Sequence, residues 1–152
     1  MSNPKKFIKK LNTLETLIGL DFGDKTIGIA VSDKSKTIAT PLLTIKRISI
    51  EKDIKKLLLI IQEYEVGGLV FGLPINLDGK ENNRTEKVRK FASILETKVK
   101  IPLIFYDERY SSDVVYKELR RNKISRSKIK KKIDQMAASY ILQGFLDNAK
   151  FN

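Results

Sequence analysis

Apolar runs along the chain predict five strands. They are rich in Ile, Leu and Val and lie at residues 17–21, 26–32, 37–45, 69–72 and 102–106. The first two strands are expected to form a hairpin, with Gly23 in its turn available for a positive φ. Because Pro41 has no amide hydrogen, the third strand is expected at a sheet edge, or with a bulge or an early end.

Apolar residues at helical spacing predict four helices. The first follows Ser49, a suitable N-cap. Its apolar face consists of Ile54, Leu57, Leu58, Ile61 and Tyr64. Gly67 and Gly68 are expected to end this helix. The other helices are predicted at residues 82–97, from Ser111 or Ser112 to about Arg121, and at about 127–148.

This order of elements predicts an α/β fold with a mixed, five-stranded central sheet flanked by helices. Residues 17–149 are expected to form a single domain. Residues 1–16 are a basic extension, for which we favour a mobile terminus over a short helix. Since ligands bind outside the carboxyl ends of strands in such sheets, functional residues are expected there.

The chain contains neither histidine nor cysteine among its 152 residues. This composition excludes a His-based triad, a thiolate nucleophile and a Cys/His zinc site. Carboxylates, hydroxyls, lysines or an oxygen-bound metal remain for any chemistry, and Mg²⁺ or Mn²⁺ fits that set best. The lack of cysteine and of a long apolar segment predicts a cytoplasmic protein that does not enter a membrane.

Acidic residues follow two of the predicted strands and begin the last helix. Asp21 ends the first strand, Asp107 and Glu108 follow the fifth, and Asp134 begins a helical face that continues with Ala138. A carboxylate on a packing face is costly unless it is paired, for instance with a preceding lysine, or bound to a cation. Three such acids suit one or two divalent ions, which can activate a water and stabilise the leaving oxygen of a phosphodiester.

Positive charge is concentrated just before Asp134. The net charge is +12, and eight of the thirteen residues in the segment 120–132 are Lys or Arg, with no acid among them. A solvated helical face is the ordinary alternative for such a run, but a one-signed run beside a candidate acid favours contact with nucleic-acid phosphates. The predicted contacts are Arg109, Ser111, Arg120, Arg121, Arg126, Lys128, Lys130 and Lys131.

Several stretches together resemble the YqgF (RuvX-like) family. They are Leu20-Asp21-Phe-Gly23-Asp-Lys-Thr-Ile-Gly28-Ile-Ala-Val-Ser-Asp33, Pro41-Leu, Gly72-Leu-Pro74 with Asp78-Gly79, Val88-Arg89-x-Phe91-Ala92, Asp107-Glu108-Arg109-x-Ser111, and Ile133-Asp134-x-x-Ala137-Ala138-x-x-Ile141-Leu142-Gln143-Gly. The resemblance runs from about Leu17 to Asp147 in the expected order. It does not extend to the basic extension.

The resemblance implies an RNase H-like fold of the Holliday-junction-resolvase kind and a role as a pre-16S rRNA nuclease. It places the acidic catalytic residues at Asp21, Glu108 and Asp134, with Asp107 as a neighbour, and Mg²⁺ or Mn²⁺ as the cofactor. In the related resolvases an acid ends the strand that matches residues 69–72, where this chain has Gly-Leu-Pro. Whether Glu108 occupies the equivalent space is left open by the sequence.

The leading hypothesis is therefore a metal-dependent endonuclease that processes the 5′ end of pre-16S rRNA, as a monomer or homodimer, on RNA or on ribosomal precursor particles. A Holliday junction resolvase acting on branched DNA and a non-catalytic nucleic-acid-binding protein are the alternatives. A third possibility comes from sugar kinases and actin-like proteins, in which Asp-x-Gly hairpins contact ATP phosphates, normally between two such domains.

Overall fold

The computed structural model describes residues 3–108 and 126–151, and for residues 126–135 and 151 it describes only the backbone. The elements follow in the order α1 (Pro4–Lys9), β1 (Thr16–Phe22), β2 (Thr26–Ser32), β3 (Ala39–Lys46), α2 (Ile50–Glu63), β4 (Val66–Leu73), α3 (Asn83–Lys98), β5 (Leu103–Asp107) and α4 (Arg126–Phe151). The helix predicted between Ser111 and Arg121 lies outside the described residues. In the part of the chain that is described, none of the helices is both long and apolar enough to cross a membrane.

The five strands form one mixed sheet in the order β3-β2-β1-β4-β5. The pairs β1–β2 and β2–β3 are antiparallel, whereas β1–β4 and β4–β5 are parallel. The predicted mixed sheet is thereby confirmed. Since β1, β4 and β5 are parallel, their carboxyl ends lie at one edge of the sheet, and this edge carries Asp21, Asp107 and Glu108.

Pro41 lies in β3 at a position that tolerates a residue without an amide hydrogen. β3 is an edge strand, so the missing amide hydrogen of Pro41 breaks no central ladder. The pairing with β2 is irregular at the same place, where Ile29 pairs with Leu43 but Ala30 pairs with Pro41. Leu42 is the extra residue of this bulge. The predicted edge position and bulge are both observed.

Helices cover both faces of the sheet, because successive side chains of a strand point to opposite faces. Ile18, Leu20 and Phe22 of β1 pack in a core with α2 and α3. On the other face Leu17 packs with α1 and α4. Gly19 shares this second face, and a Cβ there would lie 2.7 Å from the Leu142 Cβ, so the glycine lets α4 pack directly on the strand.

The glycine pair at 67 and 68 does not end α2, and that expectation was wrong. The helix ends at Glu63, and Glu65 adopts the left-handed conformation with φ 51°. Gly67 and Gly68 lie inside β4 instead. The physical reason is packing, because a Cβ on Gly68 would lie 2.8 Å from Leu17 and 3.0 Å from Phe7.

The basic extension contains a helix, not the irregular terminus that was favoured. The side chain of Asn3 caps α1 by accepting hydrogen bonds from the amides of Lys5, at 2.9 Å, and Lys6. Phe7 is buried and meets Phe145 of α4 edge to face, with the ring centroids 5.9 Å apart. Phe7, with the partly buried Ile8, therefore attaches α1 to the core between the sheet and α4.

Arg47 contacts the backbone and the aromatic ring at the turn between β1 and β2. Its Nη1 donates to the carbonyl of Gly23 at 3.0 Å, and its guanidinium lies 4.3 Å above the ring centre of Phe22. Its Nε lies 3.4 Å from the carboxylate of Asp53, which is fully buried and also accepts from the amide of Ile48. The ion pair thus fixes the turn that follows Asp21.

We predict that Asp53→Ala lowers the free energy of unfolding by about 1–3 kcal/mol, since it removes the carboxylate that pairs with Arg47 and accepts from its Nε and from the Ile48 amide. Chemical denaturation measures this loss. The control is Glu81→Ala, which breaks the exposed pair of Glu81 with Arg89 and should cost less than about 1 kcal/mol. Equal losses for the two variants would show that the Arg47–Asp53 pair does not support the turn.

Candidate active site

Asp21 lies at the carboxyl end of the central strand, on the face covered by α4. It pairs with Gly28 of β2, and it shares its face with Leu17 and Gly19 because of the two-residue period of the strand. Leu20 is opposite Phe71 in the parallel strand β4, so the next residues of the two strands, Asp21 and Gly72, are also neighbours. The turn closes directly afterwards, where the Gly23 amide donates to the carbonyl of Thr26 at 2.8 Å.

Glu108 reaches the same place from the end of β5. Its amide donates to the carbonyl of Leu73 at 3.3 Å, which continues the β4–β5 pairing by one residue. Its carboxylate lies against Gly72, in the space where a side chain at position 72 would begin. The Glu108 carboxylate therefore lies over the end of β4, where the strand itself offers no acid.

The pKa of Glu108 is shifted by its burial and by neighbouring charges. Burial, which is the largest cause, and the negative charges of Asp21 and Asp107 together raise the pKa of Glu108 from its ordinary value of 4.5 to about 8, while the charge of Arg84 opposes them. Without a cation, Glu108 therefore carries a proton at neutral pH. A crowded, half-buried set of carboxylate oxygens is the donor set that a hard divalent cation prefers, so these residues fit Mg²⁺ or Mn²⁺. We call Asp21, Asp107 and Glu108 the acidic edge.

The acidic edge is not a complete metal site by itself. Within residues 3–108 and the described side chains of α4, no group of three or more acidic side chains is arranged to hold a metal ion. The predicted ligand set therefore needs Asp134, whose side chain is not described. Asp107, the last residue of β5, belongs to the surroundings of Glu108 through its charge.

The backbone of α4 carries Asp134 towards the acidic edge. Gln143 accepts a hydrogen bond from the Ala39 amide at 2.8 Å. Ala39 pairs with Ser32, whose hydroxyl accepts from the amide of Leu17 at the start of β1. Five residues before Gln143, the Ala138 carbonyl lies over Gly19. The helix thus runs antiparallel to β1, and its preceding turn, with Asp134, continues towards the end of the strand, since one turn advances about 5.4 Å.

Sequence reasoning missed Arg84 and Lys87 in the first turns of α3. Lys87 pairs with Asp24 at 3.1 Å and lowers the pKa of that carboxyl, and Arg84 lowers it as well. The charge of Arg84 also opposes the rise in the pKa of Glu108, so Arg84 acts electrostatically on both Asp24 and the acidic edge. No motif marks these residues, because they lie in a polar helix start that resembles any exposed helix.

The predicted basic contacts remain predictions. Arg109, Ser111, Arg120 and Arg121 lie outside the described residues. The backbones of Arg126, Lys128, Lys130 and Lys131 form the start of α4, on the turns before Asp134.

Holliday junction resolvases are among the solved structures that resemble this one. The chain is similar to Thermus thermophilus RuvC in complex with a Holliday junction, with a TM-score of 0.52 and 12% identity over 88% of this chain and 94% of that one. It is also similar to the yeast mitochondrial Holliday junction resolvase Ydc2, with a TM-score of 0.55 and 12% identity over 97% of this chain and 84% of that one. The protein therefore has the RNase H-like fold of the RuvC-like resolvases.

The sequence places the chain more narrowly. The family model described as RuvX, Holliday junction resolvase, matches residues 15–148, and the chain belongs to this RuvX (YqgF) family. Two similar curated proteins are both named "Putative pre-16S rRNA nuclease". The protein from Paramagnetospirillum magneticum is 44% identical over 95% of this chain and 94% of its own length. That from Thermoanaerobacter pseudethanolicus is 46% identical over 88% of this chain and 97% of its own length.

We predict that Glu108→Gln removes a pH dependence of stability from the metal-free protein. The folded state keeps a proton on Glu108 up to about pH 8, whereas the unfolded chain releases it near 4.5. Rising pH between these values therefore lowers the free energy of unfolding of the wild type. Urea denaturation in EDTA across this range should show the variant gaining stability relative to the wild type as pH rises. The exposed Glu96→Gln should show no such gain, and identical curves for both variants would contradict the shifted pKa.

We predict that Gly72→Ala displaces the Glu108 carboxylate, because the new Cβ would occupy its space and would also lie 2.5 Å from Ile141. The expected result is a fall in the Glu108 pKa, measured by NMR titration of the side-chain carboxyl carbon, with a stability loss of about 1–3 kcal/mol from overpacking. Gly67→Ala in the same strand, whose Cβ would meet Glu15 instead, should cost stability but leave the Glu108 titration unchanged. An unaltered titration in Gly72→Ala would refute the arrangement.

Proposed function

We propose that the protein is a metal-dependent endonuclease that hydrolyses phosphodiester bonds in structured nucleic acid and processes the 5′ end of pre-16S rRNA. The observation that carries this proposal is the Glu108 carboxyl group, which lies over Gly72 with its pKa raised by burial and by the charge of Asp21. Two acids from distant strands are kept together at a cost in free energy that a bound cation would offset. Such a cost is typical of a functional site.

The proposed metal ligands are Asp21, Glu108 and Asp134, with Asp107 beside them, and the three ligands are also the proposed catalytic residues. A bound Mg²⁺ or Mn²⁺ would supply an activated water and would neutralise charge at the leaving oxygen. The carboxylates of the chain would hold the cation in place, and the protonation of Glu108 would control how tightly it binds. Since Glu108 carries a proton at neutral pH, cation and proton compete for the same carboxylate, and cation binding should tighten as pH rises.

The rest of the chain supports binding of a polyanion. The net charge is +12, and the proposed phosphate contacts are Arg109, Ser111 and the cations of the segment 120–132 that were predicted from the sequence. Because the end of that basic run, from Arg126 onward, forms the turns of α4 before Asp134, phosphates bound there would lie beside the acids. Backbone contacts of this kind position a nucleic acid without reading its sequence.

RNA is the proposed substrate because curated relatives above 40% identity are named for pre-16S rRNA. Cleavage of branched DNA is the second candidate, since the family model carries the description of a Holliday junction resolvase. The two can be distinguished by offering both substrates to the same preparation. The non-catalytic alternative predicts salt-sensitive binding of either substrate without any cleavage product.

We predict that Asp21→Asn reduces Mg²⁺- or Mn²⁺-dependent cleavage of a pre-16S rRNA fragment by about 100-fold or more, since loss of a metal ligand removes several kcal/mol of transition-state stabilisation. Binding of the same RNA in EDTA should persist. The assay compares the fragment with a four-way DNA junction, each with Mg²⁺, Mn²⁺ or EDTA.

The control for this experiment is Asp78→Asn, in the exposed loop after β4, which should cleave like the wild type. Cleavage retained by Asp21→Asn would sink the site assignment. Absence of product from the wild type with both substrates would favour the non-catalytic binder.

A further inference from the structure

A cleft lies on the other side of the β1–β2 turn from α4. It has a volume of about 250 Å³ and is lined by Phe22, Asp24, Arg47, Ile50, Lys87, Lys90 and Phe91. A narrower cavity joins the same Phe22, Asp24 and Lys87 to Gly23 and Arg84. We call the two together the α3 cleft, and its walls carry four cations against a single acid.

Arg84 connects the α3 cleft to the acidic edge. Its side chain is exposed, and its charge acts on Asp24 in the cleft and on Glu108 in the acidic edge. Among the described residues, Arg84 forms no ion pair within 4.0 Å and donates no side-chain hydrogen bond. A guanidinium in this position can bind an anion that approaches the acidic edge, which would otherwise repel it.

The ion pair inside the cleft does not block such binding. Lys87 and Asp24 lie 3.1 Å apart, but both side chains are more than half exposed. An exposed pair of this kind contributes little stability and is screened by salt. A phosphate group can therefore take Lys87 as a partner at small cost. Arg47, held by Asp53 and the Gly23 carbonyl, gives the cleft a fixed positive wall.

The α3 cleft and α4, whose first residues are mostly Lys and Arg in the sequence, lie on opposite faces of the sheet. α3 packs on the face of Leu20 and Phe22, and α4 packs on the face of Leu17 and Ala30. The carboxyl edge of the sheet separates them, and the acidic edge is located there. A nucleic-acid strand bound both to the α3 cleft and to the start of α4 would have to cross the acidic edge. One of its phosphates would then lie beside Asp21 and Glu108.

We propose that Arg84 and Lys87 form a phosphate-binding subsite that holds the nucleic-acid backbone on the α3 side of the acidic edge. This inference rests on the proposed nuclease function for its role in cleavage, but the binding itself does not. The ligand is a backbone phosphate of a strand that passes between α3 and α4. Both residues are positioning residues, since they would contact the substrate at a phosphate that is not the reacting one.

The experiment compares Arg84→Ala and Lys87→Ala with Lys98→Ala, an equally exposed cation in the last turn of α3 that does not line the cleft. Binding of a pre-16S rRNA fragment is measured in EDTA over a range of salt concentrations. Each cleft variant should weaken binding about 10-fold and reduce the slope of log affinity against log salt by about 1. Lys98→Ala should change neither. Arg84→Lys should recover part of the affinity, because the charge is kept.

Cleavage kinetics give a separate readout. In the cleft variants KM should rise while kcat changes little, as expected for binding made equally in ground and transition states. Arg84→Ala and Lys87→Ala behaving like Lys98→Ala in both assays would overturn the subsite while leaving the nuclease proposal intact. Conversely, a wild type that binds without cleaving, with the slope lost in Arg84→Ala, would support the subsite and refute the nuclease. Absence of salt-sensitive binding by the wild type would overturn the subsite as well.

Discussion

The missing side chain at Gly72 lets the Glu108 carboxylate lie over the end of β4, next to Asp21 in the neighbouring strand. The parallel order of β1, β4 and β5 brings these residues to one edge of the sheet. A second glycine, Gly19 of β1, lets α4 pack closely on that strand, with the Leu142 Cβ and the Ala138 carbonyl next to it. Two positions without a Cβ therefore determine how closely the proposed ligands meet, and both lie on one face of the sheet.

Keeping carboxylates together at this edge is unfavourable in the absence of a cation. Burial and the charge of Asp21 raise the pKa of Glu108 to about 8, so the folded protein holds a proton there at neutral pH. The surrounding structure has to sustain this arrangement, and the Arg47–Asp53 pair beneath the turn and the packed α4 do so. Local structure that is unfavourable by itself but firmly supported is common at functional sites.

Much of the fold follows from local chemistry that is visible in the sequence. The apolar runs gave the five strands, Pro41 indicated the edge strand, and Ser49 does cap α2. Gly67 and Gly68 were misread because each leaves space for a distant residue, Glu15 beside Gly67 and Phe7 beside Gly68, and such contacts are not visible in the local sequence. The placement of Glu108 and the role of Arg84 could not be predicted for the same reason, since each depends on how distant elements pack. The strand-end position of Asp21 and the family motifs were enough to indicate a candidate site. They did not show which acids together would form a complete metal site.

If the acidic edge binds a cation through Glu108, binding at neutral pH must displace the proton that burial retains there. Calorimetric titration with Mn²⁺ at about pH 7, in buffers of different ionisation enthalpy, counts the protons released. A group with a pKa of about 8 should release close to one proton per bound ion, and Glu108→Gln should abolish that release. Binding without proton release, or the same release from the Glu108→Gln variant, would contradict a cation site built on Asp21 and Glu108.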